Sequence, residues 1–425
     1  MSSFLYRIRY SLLSNDTVRN FFFRLFYRAY HSIYVPILAL RIRKKEKIRV
    51  LFVLFDLGMW KTEALYNLMQ ENKRFEPLIM IEPSGKPSET ESLKNYLEQK
   101  GYPYLMLEER QTIKGSIRPD IIFYQQPYGT FEKKNDYYHN FYALFCFVDY
   151  AFHSNDINQF HYAILNNLAW QNYFENRLVM KNLPSFMPNK ACNCLCTGLP
   201  MTDIYMQVSL ANPWKPQEKT KKRIIYAPHH TISSQEWLHF STFLTYCDTM
   251  LLLAKKYSDK VQFAFKPHPV LRGKLEKMWG KEKTDKYYQV WATMDNTQLE
   301  EGQYASLFIH SDAMIHDCSS FSTEYHYSQH PVMFLVREEH KDGKLNEFAT
   351  AAFNMHYMGK NADDIEHFIQ MVISGNDPMA PKRKKFYDTY LKIPFGKSAS
   401  ENIINSILSA QVEKQFKSKQ LEATV

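Results

Sequence analysis

The sequence predicts an α/β protein of two parallel-sheet halves preceded by a helical arm, and three observations carry that expectation. Short apolar runs alternate with segments of helical spacing, the strand–helix–strand order of a parallel sheet. The alternation occurs twice, on either side of the polar stretch Ala211–Lys222, which holds two Pro and four Lys. The charge is also uneven: the chain carries +9 over 425 residues, and residues 1–47 hold ten Arg or Lys against two acids.

The arm comes first. Phe22, Leu25, Phe26 and Tyr30 recur at helical spacing, while Arg24 and Arg28 stand four apart on another face. That is the pattern of an amphipathic helix lying in a membrane interface. No uncharged run reaches the ~20 apolar residues that span a bilayer. The charges at Arg19, Arg24 and Arg28 also interrupt any leader-like apolar core. The cluster Arg41–Lys47 adds attraction to anionic lipid. We therefore expect residues 1–47 to be a basic membrane-association arm.

The first half opens with an apolar run at Arg49–Phe55, a helical pattern at Trp60–Asn72 and a second run at Glu76–Glu82. Further strands are expected at Tyr104–Leu107, Asp120–Tyr124, Leu144–Val148 and Asn193–Thr197, with a helical stretch at Phe160–Met180. The second half repeats the scheme. Strands are expected at Arg223–Ala227, Val261–Lys266, Leu307–Ile309, Ala313–His316 and Pro331–Val336. Helices are expected at Phe240–Tyr257, Ser320–Ser328, 362–374 and 400–418, with a connector at 378–395. The domains expected are thus 48–212, 213–395 and a C-terminal helix within 396–425.

Composition removes several classes. Aromatics at 15% exclude a disordered chain. Thirteen Gly and 19 Pro exclude collagen-like sequence, and six Cys are too sparse for a disulfide scaffold. Outside the arm the charge is nearly balanced, so no nucleic-acid partner is expected, because such binders spread basic residues over a folded face. Asp56-Leu-Gly58 lacks the remaining glycines of a dinucleotide fingerprint. Cys192, Cys194 and Cys196 alternate as on a strand and lack a second ligand pair, so no metal site is expected.

Ligands of parallel sheets sit beyond the C-terminal strand ends, and three motifs fall there. They are Tyr226-Ala-Pro-His-His-Thr231, Lys266-Pro-His-Pro269 and Ser311-Asp-Ala-Met-Ile-His-Asp-Cys-Ser-Ser320. Two prolines restrain His268, whose imidazole can donate to phosphate or act as an acid near neutral pH. Lys266 adds charge. His229 and His230 follow a strand and are candidates for a diphosphate. Ser319 and Ser320 open a helix, where free amides and hydroxyls suit an anion, although Ser is equally an ordinary cap.

In this order the motifs, with Pro331-Val-Met-Phe334 and Pro394-Phe-Gly-Lys-Ser398 after them, resemble the CDP-glycerol glycerophosphotransferase family, which builds teichoic acids and capsular polymers. The resemblance implies a GT-B-like fold, two Rossmann-like domains facing a cleft, with the nucleotide donor held by the C-terminal one. It implies that His268 meets the donor diphosphate, that Ser319 and Ser320 bind phosphate oxygens, and that Asp317 orients their loop or reaches the donor. The chain departs from the family at His316 and Cys318, where Thr and Tyr are usual, and it contains no His-Gly-Thr. His153, in Asp149-Tyr-Ala-Phe-His-Ser154, stands in for that motif as the base for the acceptor.

The resulting expectation is a phosphotransferase at the cytoplasmic face of the membrane. It would move glycerol phosphate or another polyol phosphate from CDP-glycerol or CDP-ribitol to a lipid-linked glycan, with no tightly bound cofactor. Two other readings stay open: a GT-B glycosyltransferase using a nucleotide sugar, and a non-catalytic nucleotide-binding assembly protein.

Overall fold

The computed structural model describes residues 16–83, 87–106, 117–126, 141–154, 164–207, 210–233, 240–302, 304–318, 320–337 and 345–418. The chain folds as two compact units. Unit 1 comprises Met1–Ala151, Ile157–Asp203 and Ile393–Val425; unit 2 comprises Phe152–Asp156 and Ile204–Lys392.

Among the described residues, unit 1 carries a seven-stranded sheet in the order β3-β2-β1-β4-β5-β6-β7. The strands are β1 (Ile48–Leu54), β2 (Phe75–Ile81), β3 (Tyr104–Met106), β4 (Ile121–Tyr124), β5 (Leu144–Val148), β6 (Gln171–Phe174) and β7 (Cys194–Cys196), each parallel to its neighbours. β1 reads IRVLFVL without alternation because both of its faces are buried. The helical arm runs Asp16–Ala29, a π turn at Tyr30–Tyr34, then Val35–Arg43. Pro36 has no N–H for an α-helical bond, and the wider turn just before it takes up the mismatch.

Two expectations for this half are corrected. The helix expected over Phe160–Met180 is broken by β6, with helices only at Ile164–Leu168 and Arg177–Met180. Gln171 and Asn172 hide the strand from a hydrophobicity pattern. Gln171 is buried because its amide donates to Ser406 O at 3.2 Å and its carbonyl accepts from Tyr173 Oη. The alternating cysteines do not share one strand: Cys194 and Cys196 are buried on β7, and Cys192 precedes it and is exposed.

Unit 2 carries six described strands in the order β10-β9-β8-β11-β12-β13. They are β8 (Lys222–Ala227), β9 (Val261–Phe265), β10 (Thr297–Leu299), β11 (Ala313–His316), β12 (Val332–Leu335) and β13 (Tyr357–Gly359), again all parallel. Ile224 and Tyr226 face a core containing Phe243, Met250 and Trp291, while Ile225 and Ala227 face Leu307, Phe308 and Tyr325. The central strand is thus covered on both sides, one residue to each in turn. The strand expected at Leu307–Ile309 is a helix, Ala305–Ile309, lying on that second face. The helix expected at Ser320–Ser328 is one α turn, Phe321–Glu324, continued by a 3₁₀ turn at Tyr325–Ser328.

Besides the short segment Phe152–Asp156, the units change over at Asp203/Ile204 and at Lys392/Ile393, and side chains explain these two places. The buried Asp203 carboxylate accepts the amides of Ala399 at 2.7 Å and Ser400 at 3.0 Å. It thereby ties the start of helix Ala399–Leu408 to unit 1. Gly198 has φ +81°, and a Cβ there would stand 3.1 Å from Ala399 Cβ. Two residues later in the chain the allegiance changes: Tyr205 donates to Glu324 at 2.9 Å and stacks on Tyr327.

Candidate functional site

Strand order decides which loops meet. β8 is central, with β9 on one side and β11 on the other, so the loops leaving these three C-terminal ends are neighbours. These loops carry the three motifs. The backbone joins them: His268 N–H donates to Pro228 O at 3.0 Å, and His229 N–H donates to Asp317 Oδ1 at 2.5 Å.

Three imidazoles converge there. Ring centroids of His229 and His230 are 4.3 Å apart, His230 and His268 4.3 Å, and His229 and His268 5.2 Å. One ring nitrogen from each lies within 4.8 Å of the other two. Burial, with neighbouring cationic groups, lowers the pKa of His229 to about 3 and of His268 to about 4. Both rings are therefore neutral at physiological pH.

The hydrogen bonds then assign the tautomers. The Val270 amide donates to His268 Nδ1 at 3.2 Å. The Lys274 ammonium donates to His230 Nδ1 at 2.9 Å. Thr231 Oγ1 already accepts the Phe240 and Ser241 amides, so its own proton goes to His229 Nδ1, 2.9 Å away. With Nδ1 accepting in all three rings, Nε2 carries the proton and is a donor in each. Three N–H donors suit a phosphate oxygen. A metal ion would require the opposite tautomer and the loss of these hydrogen bonds.

Asp317 builds the site rather than facing a ligand. It is wholly buried; Oδ1 holds the His229 amide, and Oδ2 holds the amide of Thr242 at 2.5 Å and its hydroxyl at 2.9 Å. Desolvation raises its pKa to about 6, against the pull of these donors. Lys266 is also buried, with its ammonium over the Tyr304 ring at 5.9 Å and within electrostatic reach of Glu300 and Glu301. Burial lowers its pKa.

Ser320 is exposed, makes no side-chain cap bond, and its Oγ lies 3.2 Å from Cys318 Sγ. Ser319 lies outside the described residues. A single α turn supplies little dipole, so hydroxyl and amide donors matter more here than the helix. His153 belongs to the short segment that unit 2 holds through Asn346, whose side-chain amide donates to His153 O at 2.7 Å. The structure thus gathers His229, His230, His268, Lys266 and Asp317, and places His153 through a different element.

Sequence reasoning missed Lys274, Thr231, Thr242 and Arg337. Arg337 Nη1 donates to Thr231 O at 3.3 Å and Ser241 O at 3.5 Å, supporting the same loop after β12. Thr231 closes the first motif without having been given a role there, and the other three stand in no motif. Only the position of Arg337 just beyond a strand end could have flagged it.

The fold defines an α/β protein of the GT-B-like class, and the solved structures it resembles agree. A UDP-N-acetylglucosamine 2-epimerase from Listeria monocytogenes matches at TM-score 0.57 and 14% identity, over 87% of this chain and 98% of its own. The UDP-GlcNAc 2-epimerase from Neisseria meningitidis, bound to UDP-GlcNAc, matches at 0.54 and 15%, over 85% and 100%. A variant of the wall teichoic acid polymerase TagF, soaked with CDPG, matches at 0.53 and 13%, over 94% and 99%. Such identities speak for the fold. No curated protein sequence matches the chain. The family model for CDP-glycerol:poly(glycerophosphate) glycerophosphotransferase matches residues 153–409. The chain belongs to that family and is a transferase.

Proposed function

We propose that the chain transfers glycerol phosphate, or another polyol phosphate, from a CDP-linked donor to a hydroxyl of a membrane-associated glycan acceptor. The observation that carries this reading is the convergence of three imidazoles whose Nδ1 atoms accept hydrogen bonds, leaving Nε2 as the donor, at the C-terminal strand ends of unit 2. In the proposed reaction the acceptor oxygen forms a bond to the polyol-bearing phosphorus, and the bond from that phosphorus to the CMP oxygen breaks. The acceptor proton passes to His153. His268, with His229 and His230, donates to phosphate oxygens, offsetting charge on the departing CMP. Ser319 and Ser320 add donors, Lys266 adds a cation, and Asp317 positions the His229 loop.

In this reading residues 48–212 serve the acceptor and residues 213–395 the donor. The arm within residues 1–47 holds the enzyme on the cytoplasmic face of the membrane, as a peripheral protein. No described helix is long and apolar enough to cross a bilayer, and the arm exposes Phe21, Phe22, Leu25, Phe26, Ile33 and Ile37.

Calorimetry with CDP-glycerol and CDP-ribitol, on wild type and His268→Ala, tests the donor site. Binding of a CDP-polyol that the substitution weakens supports it. Binding of UDP-sugars alone would replace the reading with a glycosyltransferase, and no nucleotide binding would remove it. The acceptor base is tested separately: His153→Ala should lower turnover while leaving donor affinity unchanged.

A further inference from the structure

Unit 1 contains a cavity of about 840 Å³ between the arm, the 188–192 turn and the helix Ala410–Ser418. Its basic lining residues are Arg24, Arg28, Arg43, Lys190, Lys414 and Lys417, and Glu413 is its one acid. Glu413 is already committed, to Arg43 at 2.6 Å and to Lys417 at 2.6 Å. Arg24, Arg28 and Lys414 make no ion pair among the described residues, and Arg24 and Arg28 stand one helical turn apart. Trp170 lines the cavity as well, with the Arg43 guanidinium 5.2 Å from its ring centre.

The cavity adjoins an apolar stripe. Phe22, Phe26, Ile33, Ile37 and Leu40 follow one another along the arm and are 46–63% exposed. Leu40 belongs to both the stripe and the cavity lining. A stripe of this kind settles at the boundary of headgroups and acyl chains. The cavity lies on another face of the arm from Phe22 and Phe26 and meets the stripe at Leu40, so its edge reaches the surface that settles there.

The excess of cations selects among lipid phosphates. A diester phosphate carries one charge and is flanked by substituents on both sides. A terminal phosphate carries more charge, and its oxygens project far enough to be grasped by several donors. We infer that this cavity binds the terminal phosphate of a membrane lipid, a phosphomonoester or diphosphate headgroup, and so seats the enzyme on such lipids. The inference deepens the membrane part of the proposed function and rests on it. It is independent of the donor nucleotide.

The full chain is tested by co-sedimentation with phosphatidylcholine vesicles containing either phosphatidic acid or phosphatidylglycerol, matched in surface charge. Wild type should prefer phosphatidic acid roughly tenfold, the size of one good charge-assisted contact. Arg28→Gln with Lys414→Gln should abolish the preference yet keep the binding to phosphatidylglycerol. Phe22→Ser with Phe26→Ser should weaken binding to both. Inorganic pyrophosphate should displace wild type from phosphatidic acid vesicles back to the phosphatidylglycerol level. Equal affinity for the two acidic vesicles, or a preference that survives the cavity substitutions, would overturn the assignment while leaving the membrane arm standing. Pyrophosphate binding to the chain without any vesicle preference would make this a soluble-anion site and overturn the lipid. Failure to bind any acidic vesicle would remove the membrane reading too, with CDP-polyol calorimetry unaffected.

Discussion

Unit 2 holds two histidine trios, and they differ in what their protons do. His229, His230 and His268 sit on loops at the strand ends, where Nδ1 accepts in every ring. His316, His326 and His356 sit inside the unit, with ring centroids of the first and third 5.3 Å apart and of the second and third 4.8 Å. There the rings meet backbone groups: His316 Nδ1 lies 3.0 Å from Cys318 O and 3.2 Å from the Cys318 amide nitrogen, and His326 Nε2 and His356 Nδ1 both face Ala352 O. The opposite nitrogens, Nε2 of His316, Nδ1 of His326 and Nε2 of His356, are buried without a hydrogen-bond partner among the described residues. Burial holds His229, His268 and the inner three rings neutral. In the proposed function one trio donates to the nucleotide, whereas the other lies against the backbone, so a count of histidines says nothing about function until each proton has been placed.

The largest expected effect falls on the residue that assembles the outer trio. Asp317→Ala leaves the buried amides of His229 and Thr242 without an acceptor. It should cost about 3–5 kcal/mol, read by urea unfolding; a loss below about 1 kcal/mol would mean that the loop holds itself.

Next comes the inner trio. Its folded pKa values lie below the ordinary 6.5, with His356 at about 4 and the other two well below their usual range. The unfolded chain therefore takes up protons first as pH falls. The neutral-pH stability is lost from about pH 6.5 down toward pH 4, up to roughly 3 kcal/mol for His356 alone. Tm measured from about pH 7 to about pH 5 should fall, and should fall less steeply in His356→Gln. An unchanged slope in that variant would locate the acid sensitivity elsewhere.

The outer trio behaves differently. His268→Ala should weaken CDP-polyol binding about tenfold or more, near 1.4 kcal/mol, with Tm almost unmoved, because the ring is only half-buried. Equal losses of stability and affinity would erase the distinction between the trios. The smallest effect is expected at Ser320→Ala. Its exposed hydroxyl opens a one-turn helix and neighbours Cys318 Sγ, so affinity should change by less than about threefold.

Much of this was legible in the chain. Runs such as RVLFVL and VQFAF are apolar enough to mark strands buried on both faces, and helix Ala362–Ser374 is marked by Asn361 at its start and Gly375 at its end. The three motifs could be placed after strands, and their resemblance to the glycerophosphotransferases carried the family. β6 was not legible, because its polar residues are satisfied by distant partners. Neither was the helix Ala305–Ile309, too short and apolar to tell from a strand.

The sequence by itself determined the alternating α/β plan, the basic amphipathic arm and the strand-end position of His268, because periodicity and proline restraint act over a few residues. Only the tertiary structure decided that Asp317 is a scaffold, that Lys274 sets the His230 tautomer, and that the last helices return to unit 1. Those outcomes rest on hydrogen bonds between residues 44, 88 and 196 positions apart. Such contacts form only when the sheet order brings the loops together.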